Sequence, residues 1–185
     1  MGRADPRLHY TAVVRIEPLC TGEEERLRSI RLRALQDTPD AFGTTVGEAA
    51  ARPLESWTEQ LAILPTFIAV VDGEDVGIVR FSPDAKRPET GWLISMWVAP
   101  ELRRTGVGSH LIDTLIEFAS SAGCTRIELD VGDWNTSAIS LYASKGFETT
   151  GETSAFGAPR SHILEHRRVL RHTGDRQVGN ATGPS

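Results

Sequence analysis

The sequence predicts a single α/β domain, a sandwich in which helices cover a mixed β-sheet. Two kinds of segment alternate along the chain. In one kind every second residue is apolar, as in strands, and in the other the apolar residues recur at helical spacing. The chain has 185 residues, which suits one domain with a sizeable core. No internal repeat or long linker divides it, so we expect one domain at residues 12–171. A leader at residues 1–11 would precede it, and a polar, disordered tail at residues 172–185 would follow.

The N-terminal part predicts a strand and a helix. Residues 12–17 alternate apolar and polar side chains until Pro18, a pattern typical of a strand. Thr21 and Glu24 have the spacing of a capping box, in which two side chains satisfy backbone N–H groups at the start of a helix. The helix that this box would open carries an apolar face made of Leu27, Ile30, Ala34 and Leu35.

A second helical region and a hairpin follow. Thr45 and Glu48 again have capping-box spacing, and residues 54–64 place apolar side chains on one helical stripe. Asp72 and Gly73 then separate two apolar runs, which is a strong hairpin signal. The strands of this hairpin are expected at residues 67–71 and 76–81.

The C-terminal half alternates strands and helices. A loop rich in proline and charge ends at an apolar run, and a helical pattern begins a few residues beyond that run. The predicted elements are a strand at residues 92–98, a helix at 109–119, a strand at 125–131, a helix between Asn135 and Gly146, and strands at 148–153 and 161–170.

The composition argues against proteins that bind nucleic acids, membranes or metals. The formal net charge of −5 argues against nucleic acid binding and mildly favours an amine partner. No apolar run is long enough to span a bilayer, so we expect no membrane association. Cys20 and Cys124 are interpreted as reduced thiols of a cytoplasmic protein, and no Cys/His cluster has metal-ligand spacing.

The loop between the strand at 92–98 and the helix at 109–119 predicts a phosphate site. Arg103-Arg104-Thr105-Gly106-Val107-Gly108 brings glycines to the start of a helix, where free N–H groups and the helix dipole favour an anion. Leu111 stands where a dinucleotide fingerprint needs its third glycine, and the Lys-Ser/Thr pair of a Walker loop is absent. What remains is the pattern R/Q-x-x-G-x-G/A behind a strand that ends in Val-x-Pro.

A second motif decides between the phosphorylated ligands. Residues 135–147 fit N-x-x-A-x-x-x-Y-x-x-x-G-F, from Asn135 through Tyr142 to Phe147. In this order and at this distance, the two motifs resemble the GCN5-related N-acetyltransferases (the GNAT family), and the resemblance runs roughly from Val13 to Leu170. It implies an α-β-α sandwich around a mixed, mostly antiparallel sheet with a splayed central strand pair. It also implies transfer of an acetyl group from acetyl-CoA to a primary amine, without a metal.

The resemblance carries coenzyme contacts onto this sequence. Backbone amides from Arg104 to Ser109 would wrap the pyrophosphate, and the side chains of Arg103 and Arg104 are either phosphate contacts or a solvated collar. Backbone groups of the preceding strand would pair with the pantetheine arm, and Asn135 would both cap its helix and contact the coenzyme. The implied coenzyme-binding residues are Met96, Trp97, Val98, Arg103, Arg104, Thr105, Gly106, Val107, Gly108, Ser109, Asn135 and Ser137.

Tyr142 is the implied general acid, because a phenol with a pKa of about 10 can donate a proton to the departing thiolate. The alternative is a tyrosine that only packs in its helix. The general base is open. Relatives place a glutamate close to the position of Trp92, where this chain has no acid, so the candidates are a water chain or one of Glu89, Asp130, Asp133 and His162.

The acceptor pocket is expected between the first two helices and the loop that joins the last strands, with Phe42, Trp57, Trp134 and Phe156 as candidate walls. The sequence does not name the amine, but it favours a small molecule over a protein N-terminus. The alternatives are a catalytically silent acyl-CoA sensor of the same fold and an unrelated nucleotide-binding protein. Relatives often dimerise, so a homodimer is possible.

Overall fold

A computed structural model describes residues 13–157 and 160–171 of the chain. Among these residues, seven strands form one sheet in the order β1-β2-β3-β4-β5-β7-β6. All neighbouring strands are antiparallel except β4 and β5, which are parallel. The predicted α/β class and the mixed, mostly antiparallel sheet are confirmed. The leader, the tail and the exact start of the domain lie outside the described residues.

The N-terminal elements are β1 (Arg15–Leu19), α1 (Glu24–Asp37), α2 (Val46–Ala50) and α3 (Leu54–Ile63). The strand continues through Pro18, which is compatible with its place at the edge of the sheet. The predicted capping box of Thr21 is wrong: Gly22 turns the chain with a φ of 101°, and Glu23 becomes the N-cap residue. The box of Thr45 and Glu48 is confirmed, with both reciprocal bonds present.

The predicted hairpin is confirmed between β2 (Thr66–Val71) and β3 (Glu74–Pro83). Asp72 and Gly73 both have positive φ, at 51° and 85°, as a type I′ turn requires. Every residue of β2 is buried. Both faces of the sheet are therefore covered at this strand, which is what a sandwich needs.

The C-terminal half contains β4 (Thr90–Val98), α4 (Val107–Ser121), β5 (Arg126–Gly132), α5 (Thr136–Ser144), β6 (Glu148–Ala155) and β7 (Leu164–Arg171). The predicted start of the last strand at Ser161 is wrong. A turn in which the Ile163 N–H donates to the Arg160 carbonyl delays the strand to Leu164.

The parallel pair β4 and β5 separates soon after it forms. Only Thr90, Gly91 and Trp92 of β4 pair with β5, whereas the rest of β4 pairs with β3 alone. On β5, pairing with β7 continues to Gly132. The implied splay of the central strands is therefore present, and it leaves one edge of β4 without a partner strand.

A buried charge network holds the point where the two strands still pair. Glu128 of β5 is fully buried and accepts hydrogen bonds from Arg87, at 2.9 and 3.2 Å, and from Arg126. Burial alone would raise the pKa of Glu128, but these two arginines lower it below its ordinary value. The carboxylate thus stays charged and fixes where the strands diverge.

Candidate active site

A cavity of about 860 Å³ opens where β4 and β5 separate. Of the residues predicted to bind the coenzyme or to act on it, all line this cavity except Thr105 and Val107. The cavity-lining members are Met96, Trp97, Val98, Arg103, Arg104, Gly106, Gly108, Ser109, Asn135, Ser137 and Tyr142. The Thr105 hydroxyl donates to the Leu102 carbonyl at 2.7 Å, and Val107 packs in the core.

The loop before α4 has a backbone suited to an anion. Arg104 and Gly106 have φ values of 66° and 98°, so left-handed residues recur along the loop, an arrangement that can make N–H groups converge. The first N–H groups of α4 have no carbonyl partner within the helix. A side chain at Gly106 would meet no atom within 4 Å, so the backbone there is open to a ligand. The loop therefore fits a phosphate group.

Position 108 requires glycine for a different physical reason, which is close packing. It lies inside the first turn of α4, and a Cβ atom there would sit 3.0 Å from Leu141 Cδ2 and 3.3 Å from Met96 Cε. The absence of a side chain lets α4 approach β4 and α5 closely. The two glycines of the motif thus serve two purposes: one shapes the loop, and the other sets the packing of the helix behind it.

The two arginines of the loop differ in their partners. Arg103 donates through Nε to the Val98 carbonyl at 3.0 Å and forms an ion pair with Asp37 of α1. Asp37 also accepts from Trp97 Nε1 at 2.8 Å, so Arg103 ties the loop to α1. The Arg104 side chain makes no hydrogen bond with any residue that the structure describes. Arg104 is therefore the arginine available to a ligand.

The unpaired edge of β4 carries a bulge. Ile78 pairs with Trp97 and Arg80 with Ile94, so β4 has one residue more than β3 over this stretch. Ser95 lies in the bulge and has a φ of 58°, a strained conformation for a residue with a side chain. The bulge bends the strand away from β5 and leaves backbone groups near Met96 and Val98 beside the cavity.

Helix α5 contributes the phenol. Asn135 caps this helix by accepting from the Ala138 N–H at 3.3 Å, and Ser137 donates to the same Asn135 oxygen. Tyr142 is 6% exposed and packs its ring edge against Phe147, with centroids 5.8 Å apart. Burial raises the pKa of Tyr142 well above its ordinary value. The phenol therefore keeps its proton. Within the described residues, its hydroxyl makes no hydrogen bond, so no other group shares that proton.

Of the side chains that the sequence suggests as the general base, one lines the cavity. Glu89, Asp133 and His162 do not line the cavity, whereas Asp130 does. Both carboxylate oxygens of Asp130 accept from Arg167, at 2.9 and 3.1 Å, and this bidentate pair favours the ionised, less basic carboxylate. The position near Trp92 presents an indole to the cavity, and its N–H donates to Asp84.

Glu165 is a carboxylate that sequence reasoning missed. It lines the cavity from β7 and, among the described residues, makes no side-chain hydrogen bond. Burial, and then the neighbouring charge of Asp130, raises the pKa of Glu165 above its ordinary value. Its neighbours across the sheet are Gly132 on β5 and Ser154 on β6, and neither carries a charge that could pair with the carboxylate. These features suit a group that accepts a proton.

One sequence signal could have found Glu165. On β5, charged residues alternate with apolar ones, and the register places Asp130 opposite Arg167 and Gly132 opposite Glu165, so Arg167 and Glu165 of β7 share the face of the β5 charges. A run of charges on one face of two central strands indicates that this face lines a polar cavity rather than the core. Glu165 is the last residue of that run, and its neighbour on β5 is Gly132 rather than a basic residue.

The wall opposite β7 comes from α1 and the segment after it. Arg31, Thr38, Phe42 and Thr44 line the cavity there. Of the predicted aromatic walls, Phe42 and Trp134 line the cavity, whereas Trp57 is buried in the core and Phe156 does not reach the cavity. Sequence reasoning missed Arg31, although it stands at helical spacing between Leu27 and Ala34 on the buried face of α1.

Comparisons with known proteins agree with this geometry. The model of the acetyltransferase (GNAT) family matches residues 31–147, more than half of the chain. The chain is 32% identical to thialysine N-epsilon-acetyltransferase of Bos taurus over 80 residues, which are 43% of this chain and 47% of that protein. The chain spans about half the length of the curated relatives it matches. It belongs to the GNAT family.

Solved structures share the fold. A GNAT-family acetyltransferase from Streptococcus pneumoniae superposes with a TM-score of 0.75 at 20% identity, covering 87% of this chain and 100% of that one. The yncA protein of Salmonella typhimurium, solved with its cofactor acetyl-CoA, superposes with a TM-score of 0.71 at 18% identity, covering 88% and 97%. The fold is therefore that of the family.

Within residues 13–157 and 160–171, no helix combines the length and the apolar character needed to cross a membrane. The same residues contain no group of His, Cys, Asp and Glu side chains arranged to hold a metal ion.

Proposed function

We propose that this protein is an acetyl-CoA-dependent N-acetyltransferase that moves an acetyl group to a primary amine by direct attack in a ternary complex. The observation that carries the proposal is one cavity that is lined by the loop before α4 and also by Glu165 and Tyr142, whose side chains make no hydrogen bond with the described residues. We call residues 95–98 and 103–109 the donor end of the cavity. The acceptor end consists of Arg31, Phe42, Asp130, Trp134 and Glu165.

The donor end fits acetyl-CoA. Backbone amides of residues 104–109 would bind the pyrophosphate oxygens, Arg104 would add a charge-assisted contact, and the free edge of β4 would pair with the pantetheine arm. Asn135 and Ser137 would border the same molecule from the start of α5. When bound, acetyl-CoA supplies the acetyl group as an activated thioester, and everything else in the reaction is positioning and proton movement.

Two side chains move the protons. Glu165 would take a proton from the attacking amine, because its raised pKa makes it a stronger base than an ordinary carboxylate. Tyr142 would give its hydroxyl proton to the departing sulfur, because its own pKa is too high for it to ionise beforehand. One group accepts a proton and the other donates one, so the reaction is balanced without a metal.

Direct attack is supported by the places of the two cysteines. Neither Cys20 nor Cys124 lines the cavity, and burial raises the pKa of the Cys124 thiol, which disfavours the nucleophilic thiolate. An acetyl-cysteine intermediate therefore has no suitable residue. Both thiols are free, which is also consistent with a reducing, cytoplasmic location.

A small amine is the favoured acceptor. The relative from Bos taurus acts on thialysine, a small amine, according to its name. The competing function is a catalytically silent acyl-CoA sensor, which the indole of Trp92 at the usual place of the base favours. The unpartnered Glu165 and Tyr142 favour the enzyme.

The test has two steps. Thermal unfolding is measured with acetyl-CoA, ATP and NAD, and we expect acetyl-CoA alone to raise the melting temperature strongly. Release of the coenzyme A thiol is then followed across a panel of amines, and we expect release that depends on the amine. Strong stabilisation by acetyl-CoA with no turnover of any amine would favour the sensor. Stabilisation by ATP or NAD alone would overturn both functions.

A further inference from the structure

Arg31 is a buried guanidinium that pairs with no carboxylate in the described part of the chain. It stands on the inner face of α1, is 7% exposed and lines the cavity. Its Cζ atom lies 4.8 Å from the centroid of the Phe42 ring. Within the described residues it forms no hydrogen bond and no ion pair, and its Nη1 atom is buried without any acceptor. A buried donor left unsatisfied is costly, so such a group needs an explanation.

The surroundings of Arg31 are positively charged. Burial, together with the charge of Arg52, lowers the pKa of Arg31 to about 10, so it stays protonated at neutral pH. Arg31 and Arg52 in turn act on Arg80, which spends its own hydrogen bonds on Gln60 and Thr66. None of the three arginines forms an ion pair with a carboxylate in the described chain. Of the three, Arg31 is the one that lines the cavity, and its guanidinium has no ion-pair partner among the described residues.

The missing counter-ion belongs to the acceptor end of the cavity. Arg31 is remote in sequence from the phosphate-binding loop, and it borders the cavity together with Thr38, Phe42 and Thr44. A guanidinium presents a planar fork that matches the two oxygens of a carboxylate. Asp130 and Glu165 line the same cavity and repel anions. A dianionic phosphate would be repelled more strongly than a carboxylate, because a carboxylate bears a single charge.

We propose that the acceptor is an amine that also carries a carboxylate, as an amino acid does, and that Arg31 binds this carboxylate. Phe42 covers one face of the guanidinium, and Glu165 receives the proton of the amine. Arg31 then determines substrate specificity and takes no part in the proton transfers. This inference rests on the proposed function.

The test compares matched acceptors. Each of the common L-amino acids is offered together with its own carboxamide, which keeps the amine and the side chain but removes the negative charge. We expect the acids that serve as substrates to have kcat/KM about 10- to 100-fold above their amides, as one charge-assisted pair predicts. In Arg31→Met that preference should vanish through a higher KM for the acids, and Arg31→Lys should keep part of it.

The matched control is Arg28→Met. Arg28 lies on the same helix, its side chain is 39% exposed, and within residues 13–157 and 160–171 it pairs with Glu25 alone, at 3.7 Å. This variant should keep the preference for acids. Acetyl-CoA affinity and the melting temperature should be unchanged in Arg28→Met, and acetyl-CoA affinity should also be unchanged in Arg31→Met. A wild-type protein that accepts amides as well as acids would overturn the inference without any variant.

A binding measurement separates this inference from the proposed function. Calorimetry with hexanoate, against hexanamide as the neutral control, needs no acetyl transfer. We expect hexanoate to bind the wild type and Arg28→Met but not Arg31→Met. If no amine is acetylated and hexanoate still binds through Arg31, the transferase proposal fails and the carboxylate site stands. If amines are acetylated while hexanoate binds equally well to Arg31→Met, the carboxylate site fails and the transferase stands.

Discussion

The donor end of the cavity is built mainly from backbone, whereas the acceptor end is built from side chains. At the donor end, a positive φ at Gly106, the first turn of α4 and the bulge at Ser95 expose N–H and C=O groups. At the acceptor end, Arg31 and Glu165 stand on α1 and β7, at opposite ends of the domain sequence. One end relies on local conformation, and the other relies on how distant elements meet.

In the proposed function, this difference separates binding of the donor from selection of the acceptor. A backbone cradle tolerates many side chains, so one donor can be bound by chains whose sequences have diverged. Side chains brought together by tertiary structure can be replaced singly, so the acceptor can change while the cradle stays. The two ends should therefore respond to different mutations and show different kinetic signatures.

The largest expected effect is at the acceptor end, in Glu165→Gln. The amide keeps the shape of the carboxylate but accepts no proton, so we expect kcat to fall roughly 100- to 10,000-fold, the usual range for a general base. Acetyl-CoA affinity, measured by calorimetry, should be unchanged. Glu152→Gln is the matched control, because Glu152 is an exposed glutamate of β6 that does not line the cavity.

Glu165 should also determine how kcat depends on pH. Burial and Asp130 raise the pKa of Glu165 above its ordinary value of 4.5, and only the ionised form is a base. The kcat of the wild type should therefore rise as pH increases through this raised pKa, and Glu165→Gln should lack that limb. Because the folded state holds this proton more tightly than the unfolded chain, the variant should not unfold more easily at neutral pH. If kcat of Glu165→Gln rises with pH as it does in the wild type, Glu165 is not the general base.

At the donor end, Gly106→Asp is expected to weaken acetyl-CoA binding about 100-fold. A carboxylate about 4 Å from a phosphate costs roughly 1 to 4 kcal/mol, and the backbone approach of the ligand is blocked as well. Gly123→Asp is the matched control, because Gly123 also has a positive φ, of 85°, and open space around it, at the far end of α4. Equal losses of affinity in the two variants would mean that backbone strain, and not the cradle, is responsible.

Tyr142→Phe should lower kcat while leaving acetyl-CoA affinity in place. A hydrogen bond to a charged group contributes about 1.5–3 kcal/mol, so we expect a loss of roughly 10- to 100-fold. Burial raises the pKa of Tyr142 above its ordinary value, so the hydroxyl should cause no fall in activity between neutral pH and pH 10. Unchanged turnover in the variant would show that the tyrosine only packs against Phe147.

The smallest expected effect is on stability, in Asn135→Ala. Loss of the cap of α5 should lower the free energy of unfolding by about 1 kcal/mol, measured by urea denaturation. Ser140→Ala, on the exposed face of the same helix, should change it by less than about 0.5 kcal/mol. If the two variants behave alike, Asn135 does not stabilise α5 through its cap.

The donor end could be predicted from the sequence because its causes are local. Gly106 and Asn135 act within a few residues of themselves, so a short motif contains the whole argument. The hairpin at Asp72 is predictable for the same reason. The wrong capping box at Thr21 shows the limit of this reasoning, because a positive φ at Gly22 shifted the start of α1 by two residues.

The acceptor end could not be predicted in the same way, because its causes are tertiary. Glu165 is one acid in an ordinary strand until the register places it opposite Gly132. Arg31 is an arginine in an amphipathic helix until the fold buries it without a partner. Gly108 lies between these cases: the motif contains it, but its contact with Leu141 appears only when α4 and α5 pack together.

The most direct measurement follows the acetyl group itself. The protein is incubated with acetyl-CoA labelled in the acetyl group, first alone and then with the panel of amino acids, and the label is located after each step. We expect no label on the protein in the absence of an amine and transfer of label to at least one amino acid in its presence. Label bound covalently to the protein would contradict direct attack, and label that stays on the coenzyme with every amine would contradict the enzyme.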